Sequence, residues 1–265
     1  MLRTLVVGFL ASLVAAGATC TQVSGSDAPA GPVRNTDANE VDLALQNLQA
    51  KAAELTSYQA RLDYTTTQPL LESKTRREGV LYYAKAGDRS SLRMDFLTLQ
   101  QDDEPKQNYV EQFLFDGVWL RIVNHQTRHV ERRQMAEPNQ PVDAFSLASK
   151  HMPVLGFSKT DDLQKQFDVT LVAEPQEQAA FQHLHLAVRP GSAYKDDYTT
   201  IDFWIDRKTG LPARITAVTT EEDIHEIRLI DPRINQGIEP KMFRVDTPKG
   251  FTVEVIPLEK DVTRK

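Results

Sequence analysis

Leu55-Thr56-Ser57-Tyr58-Gln59-Ala60-Arg61-Leu62-Asp63-Tyr64-Thr65 is where the chain changes its period. Upstream, Val41, Leu43-Ala44-Leu45, Leu48 and Ala52 recur at helical spacing, with Asn39 or Asp42 placed to cap the start. From Tyr58 onward Ala60, Leu62 and Tyr64 alternate with Arg61, Asp63 and Thr65. Period two marks a half-buried strand. Working outward, strand-like runs recur at 79–85, 91–97, 109–115, 118–123 and 128–133. After the middle of the chain they resume at 167–173, 181–189, 199–205, 213–220 and 224–230, and a last one lies at 251–256.

Asp116-Gly117 sits between two of these runs, and Asp206-Arg207-Lys208-Thr209-Gly210-Leu211-Pro212 between two others. Both read as hairpin turns, since glycine tolerates the positive φ such turns require. Strands joined by hairpins neighbour one another in sequence order, which is a meander. The stretch Asp143 to Met152 carries Ala144, Phe145, Leu147 and Ala148 on one side and predicts a helix stopped by Pro153. Thr160 reads as the cap of another short helix. The expectation is a mainly β fold with short helices: an incompletely closed antiparallel β-barrel with a helical lid. A barrel that side chains do not fill keeps a cavity for an apolar ligand.

The N-terminal end reads as an export signal. Arg3 precedes the apolar run Leu5 to Ala16, and Ala16-Gly17-Ala18 supplies a small-x-small cleavage pattern, giving a signal peptide over 1–18. Cleavage after Ala18 fits the small-residue rule. Lipid modification at Cys20, the one cysteine, is the alternative, and would leave an anchored outer-membrane lipoprotein. Residues 19–40, rich in Ser, Gly, Pro, Ala and Asp, have little to bury and predict a flexible linker. The remainder, 41–260, fits a single all-β domain in the periplasm. A formal net charge of −6 argues against nucleic acid, whose affinity comes largely from Lys and Arg on phosphates. Arg76-Arg77 and Arg132-Arg133 read as solvated strand ends.

The sequence offers little reaction chemistry. His183 and His185, two apart on one strand, point to one face, but the spacings usual for a metal site are missing. They read as a polar pair on a solvated face, with a metal-dependent enzyme as the outside alternative. No nucleophile elbow, phosphate loop or dinucleotide fingerprint occurs, so no catalytic set, cofactor or metal is expected. The strands do offer aromatic bulk. Tyr83, Phe96, Phe113, Phe115, Trp119, Phe145, Phe203 and Trp204 are the candidates to line a cavity. Around Phe113-Leu114-Phe115 and Phe203-Trp204-Ile205 the apolar character occurs on both faces, and such strands must be covered twice.

The order of these pieces resembles the LolA/LolB-like superfamily of periplasmic lipoprotein carriers. The likeness is carried by Leu55 to Leu62, Gly79-Val80-Leu81-Tyr82-Tyr83-Ala84-Lys85, Leu114-Phe115-Asp116-Gly117-Val118-Trp119-Leu120, Phe203-Trp204-Ile205-Asp206 with Thr209-Gly210-Leu211-Pro212, and Phe243-Arg244-Val245 to Phe251. The resemblance implies an open barrel whose apolar cavity accepts lipoprotein acyl chains or another lipid, with no bond made or broken. It implies a monomer that meets membrane-associated donor and acceptor proteins. In the carriers a basic residue of the early hairpin matters for opening. The matching turn here, Lys85-Ala86-Gly87-Asp88-Arg89, has no proline, and Lys85 and Arg89 are both candidates. An envelope module that senses lipid or lipoprotein on the same scaffold stays open beside the carrier.

Overall fold

A computed structural model describes residues 33–35, 38–87, 89–144, 160–174 and 179–258. The expected signal peptide, most of the expected linker with Cys20, and Phe145 with the rest of the helix expected up to Met152 lie outside the described residues. In chain order the elements are β1 (Val33–Asn35), α1 (Ala38–Ala53), β2 (Ser57–Gln68), β3 (Ser73–Ala86), β4 (Arg89–Gln101), β5 (Gln107–Phe115), β6 (Trp119–Asn124) and β7 (His129–Gln134). Then follow α2 (Thr160–Gln166), β8 (Phe167–Ala173), β9 (Phe181–Val188), β10 (Tyr198–Asp206), β11 (Pro212–Thr219), β12 (Ile224–Ile234) and β13 (Thr252–Ile256).

All thirteen described strands form one sheet, in the order β1-β8-β9-β10-β11-β12-β2-β3-β4-β5-β6-β7-β13. Its ends, β1 and β13, do not meet, so the sheet is open, as an incompletely closed barrel requires. Two meanders, β2 to β7 and β8 to β12, are joined where β12 pairs with β2. The last strand departs from the all-antiparallel expectation, because β13 runs parallel to β7. A parallel pair needs a long crossover, here everything between Gln134 and Thr252.

The alternation read in β2 is borne out: Tyr58, Ala60 and Leu62 are buried while Arg61 is exposed. The inner faces curl around α1, whose Val41, Ala44, Leu45 and Leu48 share one core with Phe203, Ile215 and Ile227. The helix starts at Ala38, ahead of the Asn39 and Asp42 expected to cap it, and Asp42 instead accepts a hydrogen bond from Gln164 of α2 (2.6 Å). Two glycines are needed where they stand. Gly210 holds φ +69, and a Cβ there would lie 2.7 Å from Cγ of Lys51 on α1. A Cβ on Gly79 would lie 1.8 Å from the Asp95 carbonyl oxygen, at the bulge where β3 meets β4.

Candidate functional site

The inner face is where most of the candidate aromatics meet. Tyr83, Phe96, Phe113, Phe115 and Phe203 are all buried in the main core. Phe96 and Phe113 meet edge to face at 6.1 Å, and Tyr64 tilts against Phe96 at 6.0 Å. Such pairs add specific geometry to the area they bury. Trp119 and Trp204 do not line this interior. Strand alternation puts their neighbours Leu120, Phe203 and Ile205 inside, so the two indoles fall on the outer face. Arg132 stacks over Trp119 there at 5.1 Å.

The interior is occupied by the protein's own side chains, and among the described residues its covers are small. One is α1. Another is the segment 141–144, which is pinned at three points. Val142 N donates to Gly117 O (2.8 Å), Ala144 N donates to the buried Ser90 Oγ (2.7 Å), and that hydroxyl donates to Asp143 Oδ2 (2.7 Å). Burial, with the nearby Asp143 carboxylate, pushes the Tyr83 phenol far up, so it stays protonated. Between α1, α2 and β8 lies a cleft of about 500 Å³ lined by Val41, Phe167 and Val169 together with Asp42, Gln164 and Arg189.

Lys85 and Arg89 are exposed at the tip of the β3–β4 hairpin. The arginine that enters the interior is Arg77, which the sequence reads as a solvated strand end. Its Nη1 donates to Glu111 Oε2 (2.9 Å), with side chains only 13% and 9% exposed. The guanidinium lies 5.5 Å from the Phe96 ring and 5.0 Å from that of Tyr109, and Asn124 Nδ2 donates to Glu111 Oε1 (3.1 Å). Extending the alternation of Leu81 and Gly79 upstream places Arg77 inward. The apolar run ends at Gly79, and that hides the strand's earlier half. Beside this pair His225 is half-buried, its Nδ1 2.8 Å from Tyr64 Oη, and desolvation holds its imidazole below the ordinary histidine range against the pull of Asp223.

On the outer face His183 and His185 are 8% exposed each, so the solvated-pair reading fails. His183 Nε2 and His185 Nδ1 lie 2.7 and 2.8 Å from the same Asp202 oxygen. Burial pushes the Asp202 carboxyl up, but the hydrogen bonds and charge of the two histidines outweigh it and leave it below the usual range. His183 Nδ1 lies 2.8 Å from Glu174 Oε1, yet off the angle of a hydrogen bond, so this is a close contact and not a directed bond. Trp204 stacks on His183 at 4.2 Å and donates from Nε1 to Glu174 Oε2 (3.1 Å), while Arg214 lies 3.7 Å over the indole. Glu174 and Asp202 escape the sequence reading because the fold, and no local spacing, brings them together. Among the described residues no group of three or more His, Cys, Asp or Glu is arranged to hold a metal ion.

No protein-family model matches the chain, and no curated protein matches it. Solved structures similar in outline include an uncharacterized conserved protein from Thermus thermophilus, at 12% identity over 82% of this chain and 99% of that one, TM-score 0.47. Another is MucB in the Pseudomonas aeruginosa MucA/MucB complex, at 15% identity, TM-score 0.45; the alignment covers 78% of this chain but only 61% of that one. A third is a domain provisionally named an outer membrane lipoprotein-sorting protein, from Vibrio parahaemolyticus, at 13% identity over 78% and 97% of the two chains, TM-score 0.39. These likenesses concern the fold alone, and the fold itself rests on the strand pairing above.

Proposed function

We propose that residues 41–260 form an envelope carrier that takes acyl chains of a lipoprotein, or another lipid, into the interior of the open sheet for transfer toward the outer membrane. The observation that carries this reading is the mismatch between a large aromatic interior and the small segments that cover it among the described residues. Helix α1 buries only Val41, Ala44, Leu45 and Leu48 into that interior. An acyl chain taking the helix's place exchanges apolar surface for apolar surface. At about 25 cal/mol per Å² on either side, the exchange costs little. Export by the 1–18 signal, with release after Ala18 or lipidation at Cys20, places the domain at the membranes between which such cargo moves.

Native mass spectrometry and a fluorescent fatty-acid probe test this directly. The expected result is one or two bound acyl chains per protein. A protein that takes up neither probe nor cellular lipid sinks the carrier reading. The filled interior favours one second reading, an envelope interaction module that keeps its core closed, and that same negative result would support it.

A further inference from the structure

The turn between β2 and β3 differs from every other described hairpin tip. Pro69–Leu71 is one turn of 3-10 helix, and Leu70 and Leu71 are 76% and 68% exposed. The neighbouring tips carry Asp102-Asp103-Glu104 and Glu221-Glu222, as tips in water ordinarily do. This tip is also rigid. Pro69 sets the first φ of the turn, and Glu72 closes it at φ 49 with its N–H on Pro69 O (3.2 Å). Both stems are fastened to the flanking turns: Gln68 Nε2 donates to Asp223 Oδ2 (3.0 Å), and Lys74 N donates to Asp102 Oδ1 (2.6 Å). Two leucines are thus held out on the end of the two paired strands β2 and β3, in a fixed shape.

We propose that this turn is a docking tip, which seats Leu70 and Leu71 in an apolar pocket with a basic rim on a partner protein. Rigidity lowers the cost of binding, because little conformational freedom is left to lose. Apolar anchors inside a charged surround are how small interfaces gain affinity and select partners. The surround here is acidic: register places the 102–104 turn on one side and the 221–223 turn on the other. Glu72 adds to it, Lys74 opposes it, and Lys106 is already paired with Glu78 (2.5 Å). That sign repels anionic lipid and a second copy of a chain whose formal charge is −6. It fits lysine and arginine on a protein. The inference stands whether or not the interior takes lipid.

The test uses the mature protein and a synthetic amphipathic leucine–lysine peptide, with a leucine–glutamate peptide and vesicles of phosphatidylcholine, with and without phosphatidylglycerol, as competing probes. L70S/L71S is expected to weaken binding of the lysine peptide about tenfold or more, the scale set by burying two leucines. E221Q/E222Q is expected to weaken it several-fold and to flatten its salt dependence. V253S/V255S, which changes exposed valines on β13 (45% and 55%), is expected to leave it unchanged, and the glutamate peptide and vesicles to bind weakly or not at all. Equal affinity in L70S/L71S, equal loss in V253S/V255S, or vesicle binding that needs the leucines would overturn the proposal. Fatty-acid uptake by L70S/L71S is expected to match the parent, which keeps this test separate from that of the interior.

Discussion

Phe113-Leu114-Phe115 on β5 and Phe203-Trp204-Ile205 on β10 pose one problem and solve it in two ways. Each is apolar on both faces, and each sends its flanking residues into the main core. Outside, Leu114 joins Val123 and Val130 in a second small core closed by Val245, with Phe243 and Phe251 packed around it. That cover is a strap of chain, tied down where Arg93 Nη1 donates to Met242 O (2.5 Å) and Arg121 to Val245 O. Among the described residues no strap covers Trp204. Its indole is sandwiched between His183 and Arg214, and its N–H reaches Glu174. An aliphatic outer side chain has only area to offer, so more chain must cover it. An aromatic with a polar handle can be covered by side chains alone.

The contrast is sharpest between the two faces of β10. Phe203→Ala is expected to cost about 3–5 kcal/mol in urea unfolding, since Phe203 is fully buried. Trp204→Ala is expected to cost clearly less, and equal losses would break the distinction between core and clasp. Next, Leu114→Ala should cost about 2–3 kcal/mol. It should also speed hydrogen exchange across 240–251, where an unchanged strap would show that the second core does not hold it. Asp202→Asn is expected to cost about 1–3 kcal/mol at neutral pH, by weakening bonds to a charged acceptor. Because the Asp202 carboxyl lies below its usual range when folded, its contribution is present above about pH 4 and fades as pH falls through the lowered value. The variant should lose that part of the acid slope.

The smallest effect is expected on the inner face. His225 is held neutral by burial, so the unfolded chain takes up its proton first as pH falls below about 6.5, and stability declines across that window. His225→Gln should flatten this slope while leaving the acid limb from Asp202 in place. A slope that persists would assign it to another histidine.

Legibility in the sequence follows burial. Strand β8 has the bounds that alternation predicts, and the Asp116-Gly117 turn forms as expected, with Asp116 Oδ1 accepting from Val118 N and Trp119 N (3.0 and 2.7 Å). The far ends of β2 and β3 escape a reading by alternation because Thr65-Thr66-Thr67-Gln68 and Ser73 to Arg77 are polar on both faces. Cross-strand pairing with one another, and with β12 and β4, extends the strands through them. The inward aromatics are readable as a set, yet the face of each tryptophan depends on which neighbour is even or odd in register. The direction of β13 has no local signature at all, since a strand reads alike either way.

That parallel strand bears on when the protein can finish folding. Each pairing from β2 to β7 joins neighbours in sequence and can form while the chain is still short, whereas β13 and the strap before it return to β6 and β7 from more than a hundred residues downstream. Contacts that close loops of that size form late. Until they do, Leu114, Val123 and Val130 stand as a sticky strip on a half-made sheet, beside an open edge at β7. Until the strap closes over it, that strip invites either a chaperone or aggregation.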